Sequence, residues 1–231
     1  MRGPNFWSST ESQTIVLKLD LEEFEREPTH QIEGFLPRLK EMMPTLESHK
    51  CSHNNGGTFF EVVERGTWLG HVIEHIAIEL QNLAGMPVTY GKTESTATQG
   101  VYYVIVGYKV EDAGWHAVEA AIRIAEAVAT SKTYDVQAEV EKLKRIAKRN
   151  AFGPSTNSIV EEAVSRGIPF KRLNGNSLLV FGWGNKQKKL RATVTGNTTG
   201  IGIEIAGDKE ETKLLLESAH IPVPKGTVVF D

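Results

Sequence analysis

Residues 67–85, TWLGHVIEHIAIELQNLAG, decide the fold that this sequence predicts. Apolar residues recur there at helical spacing, at Leu69, Val72, Ile73, Ile76, Leu80 and Leu83. Thr67 is a candidate N-cap and Gly85 a candidate stop, so one amphipathic helix is expected. Ile78 lies on the opposite face, which predicts that this second face is covered too. A helix buried on both sides holds its polar residues in a pocket rather than in bulk water.

The same helix carries an H-x-x-E-H pattern at His71, Glu74 and His75. Two histidines four residues apart project from one helix face, which is the spacing that two imidazoles need to share one zinc ion. In a metallohydrolase site of this kind, Glu74 would take a proton from the attacking water. The alternative is a pair of structural histidines that are hydrogen-bonded in the core.

Glu79, one helical turn after His75, is the nearest candidate for a third metal ligand. Ligands at i, i+4 and i+8 span about 12 Å of helix axis, which strains a site for a single ion. A ligand from another part of the chain is therefore an open alternative, and the candidates are His49, Cys51, Glu61 and Glu64.

Composition narrows the class of protein. The 231 residues are 40% hydrophobic and 24% charged, which is ordinary for a soluble globular chain. The net charge of −3 gives no electrostatic case for a nucleic-acid partner, and no apolar run is long enough to cross a bilayer. Cys51 is the only cysteine, so no internal disulfide can form and a cytoplasmic location is expected.

Strand and helix patterns alternate in residues 1–150 and predict an α+β domain. Strands are expected at 15–21 and 101–110, helices at 31–43, 115–130 and 134–150, and residues 58–66 are ambiguous. Residues 151–158, rich in Gly, Pro, Ser and Asn, indicate entry into a second unit. There, strands are expected at 169–173, 177–182 and 189–195, helices at 158–167 and 209–220, and turns at 196–207. Residues 151–231 are too few to close a sheet and a core.

Five separated motifs carry a family resemblance. They are MRGPNFWS (1–8), HKCS (49–52), GTWLGHVIEHIAIELQNLAGM (66–86), GPSTNSIVEEAVSRGIPF (153–170) and DKEETKLLLESAHIPVPKG (208–226). In this order and spacing they resemble the cyanophycin synthetases. The resemblance implies an α/β chain in which 1–150 is the N-terminal domain and 151–231 is the incomplete opening of an ATP-grasp ligase domain.

The family makes a storage polymer with a polyaspartate backbone and arginine side chains, using ATP and magnesium. The resemblance implies a cytoplasmic ligase that is a homo-oligomer. The lysines and acidic residues that hold ATP and magnesium in ATP-grasp enzymes lie beyond Asp231, and residues 1–231 contain no P-loop motif. We therefore do not expect this segment alone to ligate amino acids.

Resemblance also implies that some N-terminal domains of this family cut the polymer into short primers, whereas others have lost this activity. Candidate substrate contacts are Arg65, beside the metal motif, and Ser158 and Glu204, for the carboxylate end of the polymer. The alternative roles are a surface arginine for Arg65, a helix cap for Ser158 and a strand-end carboxylate for Glu204. For the whole N-terminal domain, which the resemblance implies binds the polymer, two alternatives to a peptidase are open: a non-catalytic polymer-binding domain, or a structural part that supports assembly of the synthetase.

Overall fold

The computed structural model describes residues 5–9, 13–51 and 57–226. The chain forms two compact units, Met1–Ala151 and Phe152–Asp231. Both combine helices with antiparallel sheets, which confirms the mixed α/β fold class. Across the described part of the chain, no helix combines the length and the apolar character that crossing a membrane requires.

The first unit contains three strands and five α-helices among its described residues. In chain order they are β1 (Thr14–Asp20), α1 (Phe35–Met42), α2 (Phe59–Arg65), α3 (Leu69–Leu83), β2 (Gly91–Ser95), β3 (Val101–Gly107), α4 (Glu111–Ala129) and α5 (Val136–Asn150). The strands and helices expected from the sequence are confirmed, and the ambiguous residues 58–66 contain α2. Strand β2 was not anticipated, because GKTES has no apolar alternation.

The sheet has the order β1-β3-β2, with antiparallel pairing throughout. Ile15 pairs with Val106, and Thr93 with Val104, so these side chains share one face. Helices α3 and α4 pack against that face and against each other, and α5 packs against both helices. The register therefore aims Thr93 of β2 at α3.

Helix α3 is buried on both sides, as the sequence predicts. Its end is also as expected: Gly85 follows the C-cap with φ +81°, and Met86 N–H donates to the Gln81 carbonyl. Its start differs. The N-cap is Trp68, without a side-chain capping bond, because the Thr67 hydroxyl lies 3.0 Å from Nδ1 of His71 instead.

The second unit contains α6 (Pro154–Ser165), β4 (Phe170–Arg172), β5 (Leu178–Phe181), β6 (Lys188–Arg191), β7 (Val194–Thr195), α7 (Gly200–Gly207) and α8 (Lys209–Ser218). The four strands in the described part of this unit, up to residue 226, form one antiparallel meander. Asp208 caps α8 as expected, with its carboxylate accepting from two backbone N–H groups.

Three sequence expectations for the second unit are wrong. The single strand expected at 189–195 is the hairpin of β6 and β7, because the chain turns at residues 192–193. Residues 200–207 form α7 rather than turns, because the Thr199 hydroxyl accepts from Gly202 N–H and starts a helix despite the glycines. Helix α6 begins at Pro154, four residues before the expected start. Proline suits this position, because the first helical N–H needs no partner within the helix.

A polar network joins α4 to α5 around Glu139. Its carboxylate accepts from Tyr134, Arg123 and His116 at 2.6, 3.0 and 2.6 Å. Burial raises the pKa of the Glu139 carboxyl, but these hydrogen bonds lower it further, so that it falls from 4.5 to about 2. The ionised carboxylate therefore helps to hold the two helices together.

Because the pKa of Glu139 is lower in the folded chain, its contribution to stability is present above about pH 4.5 and is lost as the pH falls towards 2. We expect Glu139→Gln to lower the free energy of unfolding at pH 7 by about 1–3 kcal/mol. This difference should shrink below pH 4.5. Urea denaturation at several pH values measures it, and Glu141→Gln, on the exposed side of α5, is the control, whose effect on the free energy of unfolding should be much smaller. If the stability difference between the wild type and Glu139→Gln did not change with pH, the ionised Glu139 carboxylate would not be what stabilises the helix pair.

Candidate metal centre

The second face of α3 opens into a cavity of about 540 Å³ in the first unit. His71, Glu74 and His75 line it from the helix, and Thr93 lines it from β2. The Thr93 hydroxyl donates to Oε2 of Glu74 at 2.6 Å. A Cβ atom at Gly91 would lie only 2.5 Å from Oε1 of Glu74, so the absence of a side chain there lets the carboxylate lie against the strand.

The opposite wall of the cavity comes from a short segment before α2. His49 follows a 3₁₀ turn at Pro44–Ser48, and two backbone hydrogen bonds anchor the segment to the start of α2. Phe59 N–H donates to the His49 carbonyl, and Cys51 N–H donates to the Gly57 carbonyl. His49 and Cys51, two residues apart in this extended segment, therefore both reach the cavity.

Three potential metal-ligand atoms lie close together in the cavity. Sγ of Cys51 lies 3.3 Å from Nε2 of His75 and 3.6 Å from Nε2 of His71, and the potential ligand atoms of these residues lie within 4.8 Å of one another. A zinc ion with ordinary Zn–S and Zn–N bonds sets the sulfur and nitrogen corners of its tetrahedron about 3.5 Å apart. The two measured distances match that edge, so the three side chains fit a zinc ion.

The two imidazole rings are held by different neighbours. Phe59 stacks on the His75 ring with the centroids 4.2 Å apart, and the Thr67 hydroxyl contacts Nδ1 of His71. Nδ1 of His75 lies 3.0 Å from Nδ1 of His49, and Nε2 of His49 lies 2.7 Å from Oε2 of Glu79. Each candidate ligand histidine therefore has a polar contact behind the ring, as metal-binding histidines usually do.

Burial dominates the electrostatics of the cavity. It lowers the pKa of His75 to about 2, with help from His71 and His49, so this imidazole is neutral and has a lone pair. Burial and the Glu74 charge raise the pKa of the Cys51 thiol to about 11, so metal binding would displace a proton from it. Burial also raises the pKa of Glu74 to about 7, against the Thr93 hydrogen bond. For Glu79, burial raises the pKa, but the His49 hydrogen bond and weaker contacts bring it below its usual value.

The structure brings three of the residues singled out in the sequence together, namely His71, Glu74 and His75. Glu79 lines the same cavity but lies outside the group formed with Cys51, because its carboxylate is bonded to His49. Among the open alternatives, Glu61 forms a capping box with Thr58.

Arg65, at the end of α2, is exposed. Its charge acts on Cys51, whose thiol pKa it lowers slightly against the larger effects of burial and Glu74. Ser158 lies inside α6, where its hydroxyl donates to the Pro154 carbonyl, so the helix-start argument for an anion does not apply to it. Glu204 lies exposed in α7 rather than at a strand end.

Sequence reasoning left Cys51 and His49 as two of four alternatives and did not consider Thr93. A signal for the first two was available, because H-x-C in an extended segment places both side chains on one side. Thr93 could not be found in this way, since its role depends on the register between β2 and β3.

Comparison with known proteins agrees with the family resemblance of the sequence motifs. Residues 16–130 match the model of the cyanophycin synthase-like N-terminal domain. Cyanophycin synthetase of Geminocystis herdmanii is 41% identical across 100% of the chain, and that of Trichormus variabilis is 42% identical across 99%. These matches cover 27% and 26% of the two relatives, so the chain spans about a quarter of their length. The chain therefore belongs to the cyanophycin synthetase family, with the cyanophycin synthase-like N-terminal domain in its residues 16–130.

Proposed function

We propose that the first unit is a zinc-dependent peptidase in which Cys51, His71 and His75 hold the metal and Glu74 is the general base. One observation carries this proposal: Sγ of Cys51 stands 3.3 and 3.6 Å from the two Nε2 atoms, at the edge length of a zinc tetrahedron. Three protein ligands leave a fourth position open, which distinguishes a catalytic zinc site from a structural one.

Zinc in such a site acts as a Lewis acid on a carbonyl and lowers the pKa of water. The chain's own residues supply the rest of the chemistry. Glu74 lines the cavity next to the ligand group, and Thr93 holds one of its oxygens at 2.6 Å. The carboxylate would accept the proton of the attacking water and return it to the leaving amine. Its burial on α3 keeps it in one orientation as the proton moves.

Family membership supports a proposal for the substrate class. The relatives are named cyanophycin synthetases, so we infer that the longer protein is an ATP- and magnesium-dependent ligase that builds the aspartate–arginine polymer. The peptidase site would cut that polymer and produce short chains that prime synthesis. Arg65, exposed and electrostatically coupled to Cys51, is the proposed contact for a substrate carboxylate. The second unit would open the ATP-grasp domain.

Metal removal tests the proposal directly. The purified chain is assayed for zinc by atomic absorption and for the release of short chains from cyanophycin by gel electrophoresis. We expect bound zinc, loss of cutting after chelation and dialysis, and recovery when zinc is returned. Cutting that survives complete zinc removal would overturn the metal mechanism. Polymer binding without cutting, or neither activity, would favour a binding or an assembly domain instead.

A further inference from the structure

A chain of hydrogen bonds runs away from the candidate zinc position on the side of His75. Oε2 of Glu79 lies 2.7 Å from Nε2 of His49, and Nδ1 of His49 lies 3.0 Å from Nδ1 of His75. The other ring nitrogen of His75, Nε2, faces Sγ of Cys51. His75 and Glu79 are buried, and the side chain of His49 is only 12% exposed, so water competes little for these bonds.

The positions of the hydrogen atoms along these bonds follow from which groups can donate a hydrogen bond and which can only accept one. A carboxylate only accepts, so Nε2 of His49 carries the hydrogen that bonds to Glu79. With the His49 imidazole neutral as the premise, its Nδ1 is then an acceptor, so its partner Nδ1 of His75 must donate. That leaves Nε2 of His75 without hydrogen, and its lone pair points to the side on which Cys51 lies.

We propose that His49 and Glu79 are positioning residues, which keep His75 in the tautomer whose Nε2 lone pair is ready for a metal ion beside Cys51. This inference rests on the proposed zinc site. It adds a reason why Nε2 of His75 has a free lone pair before the metal binds. Nδ1 of His71 contacts the Thr67 hydroxyl instead, which can donate or accept. The two candidate ligand histidines therefore differ in the partner of Nδ1, which is an imidazole for His75 and a hydroxyl for His71.

The test reads the tautomer of His75 in the metal-free chain, from long-range ¹H–¹⁵N correlation spectra of ¹⁵N-labelled protein. In the wild type we expect hydrogen on Nδ1 and none on Nε2. His49→Leu removes the acceptor, so His75 should change to the Nε2–H form or a mixture, and zinc affinity should fall about 10–100-fold. His49→Asn keeps an acceptor oxygen close to the position of Nδ1, so it should restore the tautomer and most of the affinity.

Thr67→Val is the matched control, because it removes the hydroxyl that contacts Nδ1 of His71 and should leave the tautomer of His75 unchanged. Glu79→Leu removes the acceptor at the far end and should disturb His75 as His49→Leu does, which gives a second route if either variant folds poorly by circular dichroism. Hydrogen on Nε2 of His75 in the wild type would overturn the inference, as would equal zinc affinity in both His49 variants. A wild-type chain that binds no zinc would instead overturn the proposed function.

Discussion

Replacing Cys51 by serine is expected to abolish zinc binding and polymer cutting together. Serine matches cysteine in shape, so the buried position should tolerate it, but a hydroxyl is a much poorer zinc ligand than a thiolate. Two imidazoles alone would remain, and we expect zinc affinity to fall by more than about 100-fold, beyond the loss that outer hydrogen bonds cause. Competition with a chromophoric chelator measures the affinity, and release of short chains measures the cutting.

Two further variants test whether the loss is specific to the proposed metal ligands. His71→Ala should have the same double effect, because His71 supplies another corner of the group. His220→Ala, at an exposed histidine of the second unit, should leave zinc binding and cutting unchanged. If Cys51→Ser kept wild-type zinc affinity, Cys51 would not be a ligand, and Glu79 would return as the leading candidate.

Glu74→Gln should separate binding from chemistry. The amide has the shape of the carboxylate and can still accept the Thr93 hydrogen bond, but it cannot take a proton from water. General-base catalysis contributes typically about 10²–10⁴-fold, so we expect a loss of cutting of that size with nearly unchanged zinc affinity. Initial rates of chain release at saturating zinc measure it.

Glu119→Gln, on an exposed position of α4, is the matched control and should cut at the wild-type rate. If Glu74→Gln cut as fast as the wild type, the general-base role would be wrong even if zinc were bound. If it lost zinc and activity together, Glu74 would act mainly by supporting the ligands.

The main helix and two of the proposed ligands could be predicted from the sequence, because both depend on spacing within one stretch. Helix α3 follows from its apolar period and from Gly85, and His71 and His75 share a face through simple helix geometry. Cys51 lies 20 and 24 residues before these histidines, so its place beside them depends on tertiary packing. Local pattern alone left it as one alternative among four.

Other differences have equally specific causes. Strand β2 is recognisable only through its pairing with β3, since its own side chains are polar and partly exposed. Helix α7 was hidden because the four glycines among residues 196–207 favour turns over a helix. Thr67 has the residue type of an N-cap, but its hydroxyl contacts the His71 ring instead.

The two faces of helix α3 have different roles: one packs in the core and the other lines the cavity. Val72, Ile76 and Leu80 belong to the hydrophobic core, whereas the proposed chemistry uses the opposite face and a ligand from outside the helix, Cys51. Replacing Cys51 by the similarly shaped serine would remove the proposed metal ligand and leave the core face of α3 unchanged. In evolutionary terms, the proposed hydrolysis would be a separable property of this domain: a lineage could lose it through one substitution while the core face of α3 stays unchanged.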